Sequence, residues 1–431
     1  MTQKIEKEKI LKIYFLFTIA IYLCFYIARF FGYLEKYWLF YFEGDLFGDF
    51  SNLIFSFSHI FSETDLLSLN VPSNKSPIVN PYSTLLENGS TPNMGFPPLT
   101  ILLMILSANI TKFLGSNYLV VYYLFLVIFI FFLFNYFISN LKSEPLLIFI
   151  LFSFPMLFLV ERGNIWAAIS GTLIALLFTN FVKKSQLQYI DLVYFIIACS
   201  IRPNYIIFGL LFLKVKNYKY LILNFIKVAS AISIFNLFVL LFATKVFPGY
   251  NFGYFLYLVD RYANSNYRFS SWNSSTHGFI YNIYSSFISS NFINISKKLS
   301  LRLEELIVGQ AVNKFIIIFY LIILIYSFIK LFFNRVNKIS FVSISCGITA
   351  AATSPFQDYH LIIFIFLFIL IYQNFTNNKN IISLILISII LLPKFHLIPP
   401  SLNIHNIVNF ICINLLIFIN LKSFSKTKQS N

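Results

Sequence analysis

The segment SPFQDYH, residues 354–360, carries a dense group of side chains that donate, accept and transfer protons. Gln357, Asp358, Tyr359 and His360 lie directly before an apolar run that continues to about residue 374. A lone His at a helix start is usually a capping or interfacial residue. An ionisable group at membrane depth, in contrast, is costly unless it is paired or hydrated, so it is a functional candidate. Both readings of this segment stay open on these residues alone.

A second candidate stretch is GDLFGDFSNLIFSFSHIF, residues 44–61, in which Asp45 and Asp49 are four positions apart and share one face of a helix. Apolar residues follow at helical spacing: Phe50, Leu53, Ile54, Phe57, Ile60 and Phe61. The pattern predicts an amphipathic helix on the membrane surface with an acid at its start. That acid is either a helix cap, which accepts backbone N–H bonds, or a general base.

Two further places put charge between apolar runs. In ERGNIW, residues 161–166, Glu161 and Arg162 are either a solvated pair in a helix hairpin turn or part of a binding site. At Arg202-Pro203, the Pro predicts a kink, and the Arg either snorkels to the interface or grips a phosphate, a task for which the planar guanidinium is suited.

The elements that position these groups are predicted to be membrane helices. The chain has 431 residues, of which 58% are hydrophobic and only 11% charged. A soluble domain carries about 25% charged residues, and apolar runs of about 20 residues, enough to cross a bilayer, recur along the chain. The net charge of +16 comes from short basic clusters between these runs, which is typical of cytoplasmic loops and not of a nucleic-acid-binding surface.

We predict a single all-α, polytopic membrane domain over residues 1–431 with about 12 transmembrane helices, some of them short or broken. The predicted segments are 10–31, 97–113, 117–138, 145–160, 164–182, 190–213, 220–243, 310–332, 339–353, 359–374, 380–392 and 404–421. The basic N-terminus followed by an apolar run predicts a retained first helix. The two halves around Arg202-Pro203 are only about 11 residues long, so an irregular segment that does not fully cross is expected within 145–213.

Two long polar stretches are predicted to be extracytoplasmic loops. The first, 32–95, contains seven of the sixteen acids but only Lys36 and Lys75 as basic residues, and scarce Lys and Arg favours the outer side. The second, 244–306, is rich in Tyr, Asn and Ser. The basic stretches 334–338, 377–380 and 422–429 are predicted to be cytoplasmic, which puts 354–360 outside. The four Cys are isolated in apolar runs, and no Gly-rich phosphate loop occurs, so we expect neither a metal site nor a cofactor.

Taken in order, these motifs resemble those of the integral-membrane glycosyltransferases of the C-type fold, and in particular the polyprenyl-phosphate-sugar-dependent glycosyltransferase family 87, which includes mannosyltransferases. The likeness covers about residues 10–375. The matching segments are GDF (48–50), NPYST (80–84), GFPPLTILL (95–103), ERGN (161–164), IRPN (201–204) and SPFQDYH (354–360).

The resemblance implies a multi-pass enzyme of the cell membrane, in a bacterium the inner membrane, with a long first extracytoplasmic loop that carries amphipathic helices. Such an enzyme transfers a hexose from a polyprenyl-phosphate sugar to a glycan or glycolipid acceptor at the extracytoplasmic face. It implies Asp49 as general base and His360 as its assistant. The implied substrate-binding residues are Asp45, Tyr82, Glu161, Arg162, Arg202, Asp358 and Tyr359.

Two other functions compete with this interpretation. A polysaccharide polymerase is also a polytopic membrane protein with polar outer loops that acts on polyprenyl-linked sugars. A transporter or flippase for lipid-linked sugars is the non-enzymatic alternative, although such proteins often contain two similar halves and no internal repeat is seen here. In each case the partners are membrane lipids and lipid-linked sugars, and nucleic acid is not among them.

Overall fold

The computed structural model describes fourteen helices and strands together with several shorter pieces of chain. The described residues are 2–31, 37–38, 41–42, 97–113, 120–121, 124–129, 153–162, 164–184, 186–214, 219–246, 275–280, 283, 310–352, 361–374, 378–393 and 404–422. Within that part of the chain, the regular structure is helical apart from one small antiparallel pair, Tyr37–Trp38 (β1) with Tyr41–Phe42 (β2).

The helices are, in chain order, α1 (Thr2–Phe30), α2 (Pro98–Phe113), α3 (Phe154–Arg162), α4 (Ile165–Lys183), α5 (Tyr189–Ile201), the 3-10 helix η1 (Pro203–Leu213), α6 (Lys219–Val246), α7 (Gln310–Phe332), α8 (Lys338–Ala352), α9 (Ile362–Gln373), α10 (Asn378–Ile390) and α11 (Ile404–Leu421). Three described stretches are long and apolar enough to cross a membrane: Ile165–Lys183, Tyr220–Phe242 and Lys314–Phe332. These three helices support the prediction of a membrane protein, while the total of twelve crossings stays a prediction.

Helix α9 forms the centre of the core. All residues from Ile362 to Tyr372 are buried, and the helix is apolar on every side, as expected for a helix surrounded by other helices. It packs against α4, α8 and α10. The other late helix of low exposure is α8, where small residues such as Gly347 and Ala350 allow neighbouring helices to approach closely.

Helices α6 and α7 lie on the outer surface of the described bundle. Only 6% of the apolar window of α6 and 28% of that of α7 is buried, although both are strongly apolar. The buried positions of α7 recur every three or four residues and therefore define one inward face: Ile316, Tyr320, Leu324, Ser327 and Leu331. The remaining apolar faces are exposed, as expected of helices that contact lipid.

One end of the bundle is basic, and we call it the basic end, defined by Lys184, Lys214 and Lys338. The Lys338 ammonium donates to the main-chain carbonyls of Phe181 and Lys184, the last turn of α4. Lys214, directly after η1, donates to Asn334 Oδ1 in the turn between α7 and α8. These contacts bring the end of α4, the end of η1 and the start of α8 together.

Helices α5 and η1 form a hairpin that starts and finishes at this basic end. Asp191 in the first turn of α5 lies 3.9 Å from Lys184 Nζ, and η1 ends at Leu213, next to Lys214. The two legs pack side by side, with the Phe195 and Phe212 ring centroids 5.4 Å apart. Each leg is about 20 Å long, shorter than a full membrane crossing. This hairpin, with Arg202 at its tip, is the described element that fits the irregular segment expected within 145–213, and its incomplete crossing of the membrane stays a prediction.

Candidate functional site

The site is built around Arg202, whose position is fixed by the proline that follows it. A residue before proline is sterically excluded from helical backbone angles, and Arg202 accordingly adopts φ −135° and ψ 93°. Its N–H still closes the last turn of α5 on the Ala198 carbonyl at 2.8 Å. Pro203 then occupies the first turn of η1, where its missing N–H is not needed. The Arg-Pro pair thus ends one leg of the hairpin and begins the other.

Asn164 connects the ERGN motif to this arginine. It is the N-cap of α4, and its Oδ1 accepts the Ala167 N–H at 3.1 Å. The same oxygen accepts a hydrogen bond from Arg202 Nη2 at 2.9 Å. Because Asn164 is buried and held by the helix, it fixes the guanidinium at the N-terminal end of α4. The Arg202 guanidinium therefore reaches beyond the tip of the hairpin, whose legs are about 20 Å long, to the end of α4 that is opposite the basic end; α4 is about 28 Å long.

Glu161 and Arg162, the charged residues of the same motif, lie in the last turn of α3 rather than in the turn itself. Helix α3 ends at Arg162 and α4 begins at Ile165, and the Asn164 N–H donates to the Leu159 carbonyl at 3.1 Å. Their side chains lie outside the described residues, so their role in substrate binding stays a prediction.

A third motif reaches the same place through Thr100. Helix α2 begins at Pro98 in the FPPLT sequence, a position where proline is favoured. Thr100 is buried, and its hydroxyl donates to the Ile201 carbonyl at 3.2 Å, one residue before Arg202. The structure thus brings together residues from three segments that are far apart in sequence, 95–103, 161–164 and 201–204.

The beginning of α9 packs below this point. A Cβ added to Gly171 would stand 2.8 Å from Ile362 Cγ2 and 3.9 Å from the Tyr205 hydroxyl. Tyr205 is buried three residues after Arg202 and lies within electrostatic reach of its guanidinium. Helix α9 starts directly after the SPFQDYH segment, so the described start of that helix is anchored two turns from the Asn164 cap.

Some buried hydrogen-bond donors near Arg202 have no partner among the described residues. Trp166 Nε1, in the first turn of α4, and Ser200 Oγ, two residues before Arg202, each belong to side chains that are only 2% exposed. The Trp166 ring packs edge-on against Phe125, 5.5 Å between centroids. A buried donor without an acceptor costs about 1–3 kcal/mol, so these groups favour a ligand with acceptor oxygens.

The arrangement has the composition of an anion-binding site. It combines a partly buried guanidinium, the N-terminal end of a 19-residue helix and unpaired donors beside them. Helix N-termini attract anions because their N–H groups and the helix dipole point toward negative charge. An arginine binds phosphate through parallel N–H bonds. Among the described residues, no three His, Cys, Asp or Glu side chains are grouped so that they could hold a metal ion.

A second polar group, which the sequence reasoning missed, lies around Tyr320. The Tyr320 hydroxyl donates to Asn414 Oδ1 at 2.9 Å and shares a hydrogen bond of 3.0 Å with Thr276. The neighbouring His277 is 2% exposed. Because Tyr320 is near the middle of α7, residues 275–280 pack well inside the bundle, although they belong to the stretch predicted as an outer loop. The sequence feature that could have indicated this polar group is the isolated His277 in STHGF, residues 275–279.

Six of the predicted site residues lie outside the described residues: Asp45, Asp49, Tyr82, Asp358, Tyr359 and His360. Their proposed roles as base, assistant and substrate ligands are therefore untested by the fold. Of the predicted side chains, only Arg202 is described, and it lies in a site that also contains Asn164, Trp166 and Thr100. Comparison of the chain with known protein families, with characterised proteins and with solved structures finds no match.

Proposed function

We propose that this protein is an integral-membrane glycosyltransferase of the C-type fold that uses a polyprenyl-phosphate sugar as donor. The acceptor is a glycan or a glycolipid, and transfer takes place at the extracytoplasmic face. The observation that carries the proposal is the Arg202 site. It joins three of the motifs that resemble those of glycosyltransferase family 87, and its side chains are of the types that bind phosphate.

The position of Arg202 supports the side of the membrane assigned to the reaction. The basic end is expected to be cytoplasmic because Lys and Arg are retained on that side. Arg202 lies at the other end of α4, a helix long enough to span the hydrocarbon region. A phosphate held there is at the opposite membrane boundary, where a polyprenyl tail can remain in the bilayer while its sugar reaches the aqueous phase.

The reaction assigns distinct tasks to the residues. The acceptor hydroxyl oxygen forms a bond to the anomeric carbon, while the bond from that carbon to the phosphate oxygen breaks. The phosphate leaves with the bonding electron pair, and Arg202 stabilises the charge that develops on it. Asp49 takes the hydroxyl proton as general base, and His360 positions the acceptor or the phosphate.

The proposal is tested with purified protein and a panel of radiolabelled polyprenyl-phosphate sugars, with both polyprenyl-phosphate release and labelled product measured. We expect turnover with one member of the panel. Accumulation of long polymer from preassembled lipid-linked oligosaccharide, with no use of the monosaccharide donors, would favour the polymerase. Movement of lipid-linked sugar across vesicles without bond cleavage would favour the transporter.

A further inference from the structure

The basic end of the bundle contains two lysines whose charges lie close together and which form no ion pair among the described residues. We propose that Lys214 and Lys338, where η1, α7 and α8 meet, bind the phosphate of an anionic phospholipid whose acyl chains lie along the exposed face of α6. This site is separate from the proposed donor site, because Arg202 lies at the other end of α4.

Lys214 is tied to the turn that follows α7. Its ammonium donates to Asn334 Oδ1 at 3.3 Å, and its side chain is partly buried. Asn334 adopts a positive φ of 54° in the turn after α7, a conformation that Asn tolerates. An ammonium has three N–H donors, so Lys214 keeps donors for a ligand oxygen.

Lys338 approaches the same place from the start of α8. Its ammonium donates to the Phe181 carbonyl at 2.7 Å and to the Lys184 carbonyl, and it lies 5.1 Å from the centre of the Phe181 ring. These carbonyls belong to the C-terminal end of α4, where a cation is favoured. Lys338 therefore has a structural task, and its third donor is left for a ligand.

The two charges repel each other. Burial, and secondly the positive charge of Lys338, lower the pKa of Lys214 below its usual value. The nearby carboxylate, Asp191, is fully buried and already accepts from Asn180 Nδ2 and from the Gln188 N–H while pairing with Lys184. Among the described residues neither Lys214 nor Lys338 forms an ion pair. A phosphodiester placed between them would remove this repulsion.

Helix α6 provides an apolar path beside these lysines. It packs against η1, with Asn224 Nδ2 bonded to the Phe212 carbonyl at 3.2 Å, so its first turns stand next to Lys214. Several apolar side chains of these turns are at least 45% exposed: Ile222, Leu223, Phe225 and Ile226. Lys227 is exposed on the same helix. Charge and apolar surface together match a phospholipid rather than a free anion.

The test uses the full-length protein reconstituted with phosphatidylglycerol or phosphatidylcholine of identical acyl chains. Native mass spectrometry measures the lipid retained at increasing concentration. We expect the protein to retain phosphatidylglycerol in preference to phosphatidylcholine. Lys214→Gln should weaken phosphatidylglycerol binding about fivefold, the effect of one basic residue near a membrane surface, and leave phosphatidylcholine unchanged. Lys422→Gln, which removes an exposed charge at the end of α11, is the matched control and should change neither.

Lys338→Gln also removes the cation that caps the C-terminal end of α4, so it lowers the melting temperature whether or not a lipid binds. Its effect on binding is therefore measured as the loss of retained phosphatidylglycerol relative to phosphatidylcholine. Inorganic phosphate is added in a separate arm and should not displace phosphatidylglycerol. Equal retention of the two lipids by the unmodified protein would overturn the proposal. Equal losses in Lys214→Gln and Lys422→Gln would also overturn it, and full displacement by inorganic phosphate would assign the site to a free anion instead.

Discussion

At the scale of single residues, Asn164 performs two tasks with one oxygen. Its Oδ1 closes the first turn of α4 on the Ala167 N–H and also holds the Arg202 guanidinium. The cap ensures that the helix starts at this point, and the second bond places the cation there. Stability and ligand binding can therefore be separated by substitutions at this one position.

Asn164→Asp should preserve the fold and weaken donor binding. Asp caps a helix about as well as Asn, so the melting temperature should stay close to that of the unmodified protein. The added negative charge pairs with Arg202 and competes with the donor phosphate, so the donor KM should rise about tenfold or more. Asn164→Ala serves as the opposite control, because it should cost about 0.5–2 kcal/mol of stability through loss of the cap. An unchanged donor KM in Asn164→Asp would show that Arg202 is not part of the donor site.

The role of Asp49 as general base is tested by replacing it with the corresponding amide, asparagine. Asp49→Asn retains size and capping ability, so the protein should fold, while turnover should fall about 10²–10⁴-fold through loss of the general base. Asp45→Asn, four residues earlier, is the matched control. If the Asp45 substitution abolishes turnover and the Asp49 substitution does not, the base has been assigned to the wrong carboxylate. His360→Ala should reduce turnover less than Asp49→Asn does, because a positioning residue does not itself take the proton.

The sequence identified Arg202 because an arginine next to proline within an apolar run is unusual in itself. It could not predict the partner of that arginine, since Asn164 is 38 positions away and their contact depends on how α4 and the α5–η1 hairpin pack. Trp166 and Ser200 were missed for the same reason. Whether a buried donor lacks an acceptor is a property of the tertiary structure, which local pattern does not contain.

At the scale of helices, the contact between α4 and α9 depends on the absence of a side chain at Gly171. Gly171→Ala would place a methyl group 2.8 Å from Ile362 Cγ2, and the β-branched Ile has little freedom to turn away. We expect a loss of about 1–3 kcal/mol in the free energy of unfolding. The cost should shrink when Ile362→Ala is also present, because the clashing methyl is then gone. Equal cost in both backgrounds would mean that this contact is not the cause.

Most helix positions followed directly from hydropathy. Segment 404–421 coincides with α11, and 310–332 coincides with α7, because long apolar runs between polar stretches define both ends. Of the predicted segment 145–160 only residues 153–160 are described, and within them α3 begins at Phe154. Pro155 stands in its first turn, where proline is tolerated, and this signal marks the start better than hydropathy does. Hydropathy could not predict that η1 is a 3-10 helix or that it folds back on α5, because it reports neither the helix type nor the direction of the chain.

At the scale of the whole molecule, sidedness can be tested by labelling. In a Cys24→Ser background, which removes the one exposed cysteine among the four, Ser73→Cys and Gln357→Cys should react with a membrane-impermeant maleimide in intact cells. Arg335→Cys, at the turn near the basic end, should react only after lysis. Protection of either outer position, or labelling of residue 335 in intact cells, would reverse the topology and with it the face assigned to the reaction.

The central claim is that the Arg202 site holds the phosphate of a polyprenyl-phosphate sugar, and it is tested most directly by the binding of polyprenyl phosphate to purified protein. Arg202→Gln should raise the Kd at least tenfold, and Arg202→Lys should raise it less, since charge is kept while the parallel N–H geometry is lost. Arg335→Gln, which removes an exposed arginine, should leave the Kd unchanged. A Kd for Arg202→Gln equal to that of the unmodified protein, in a protein of unchanged melting temperature, would contradict the account.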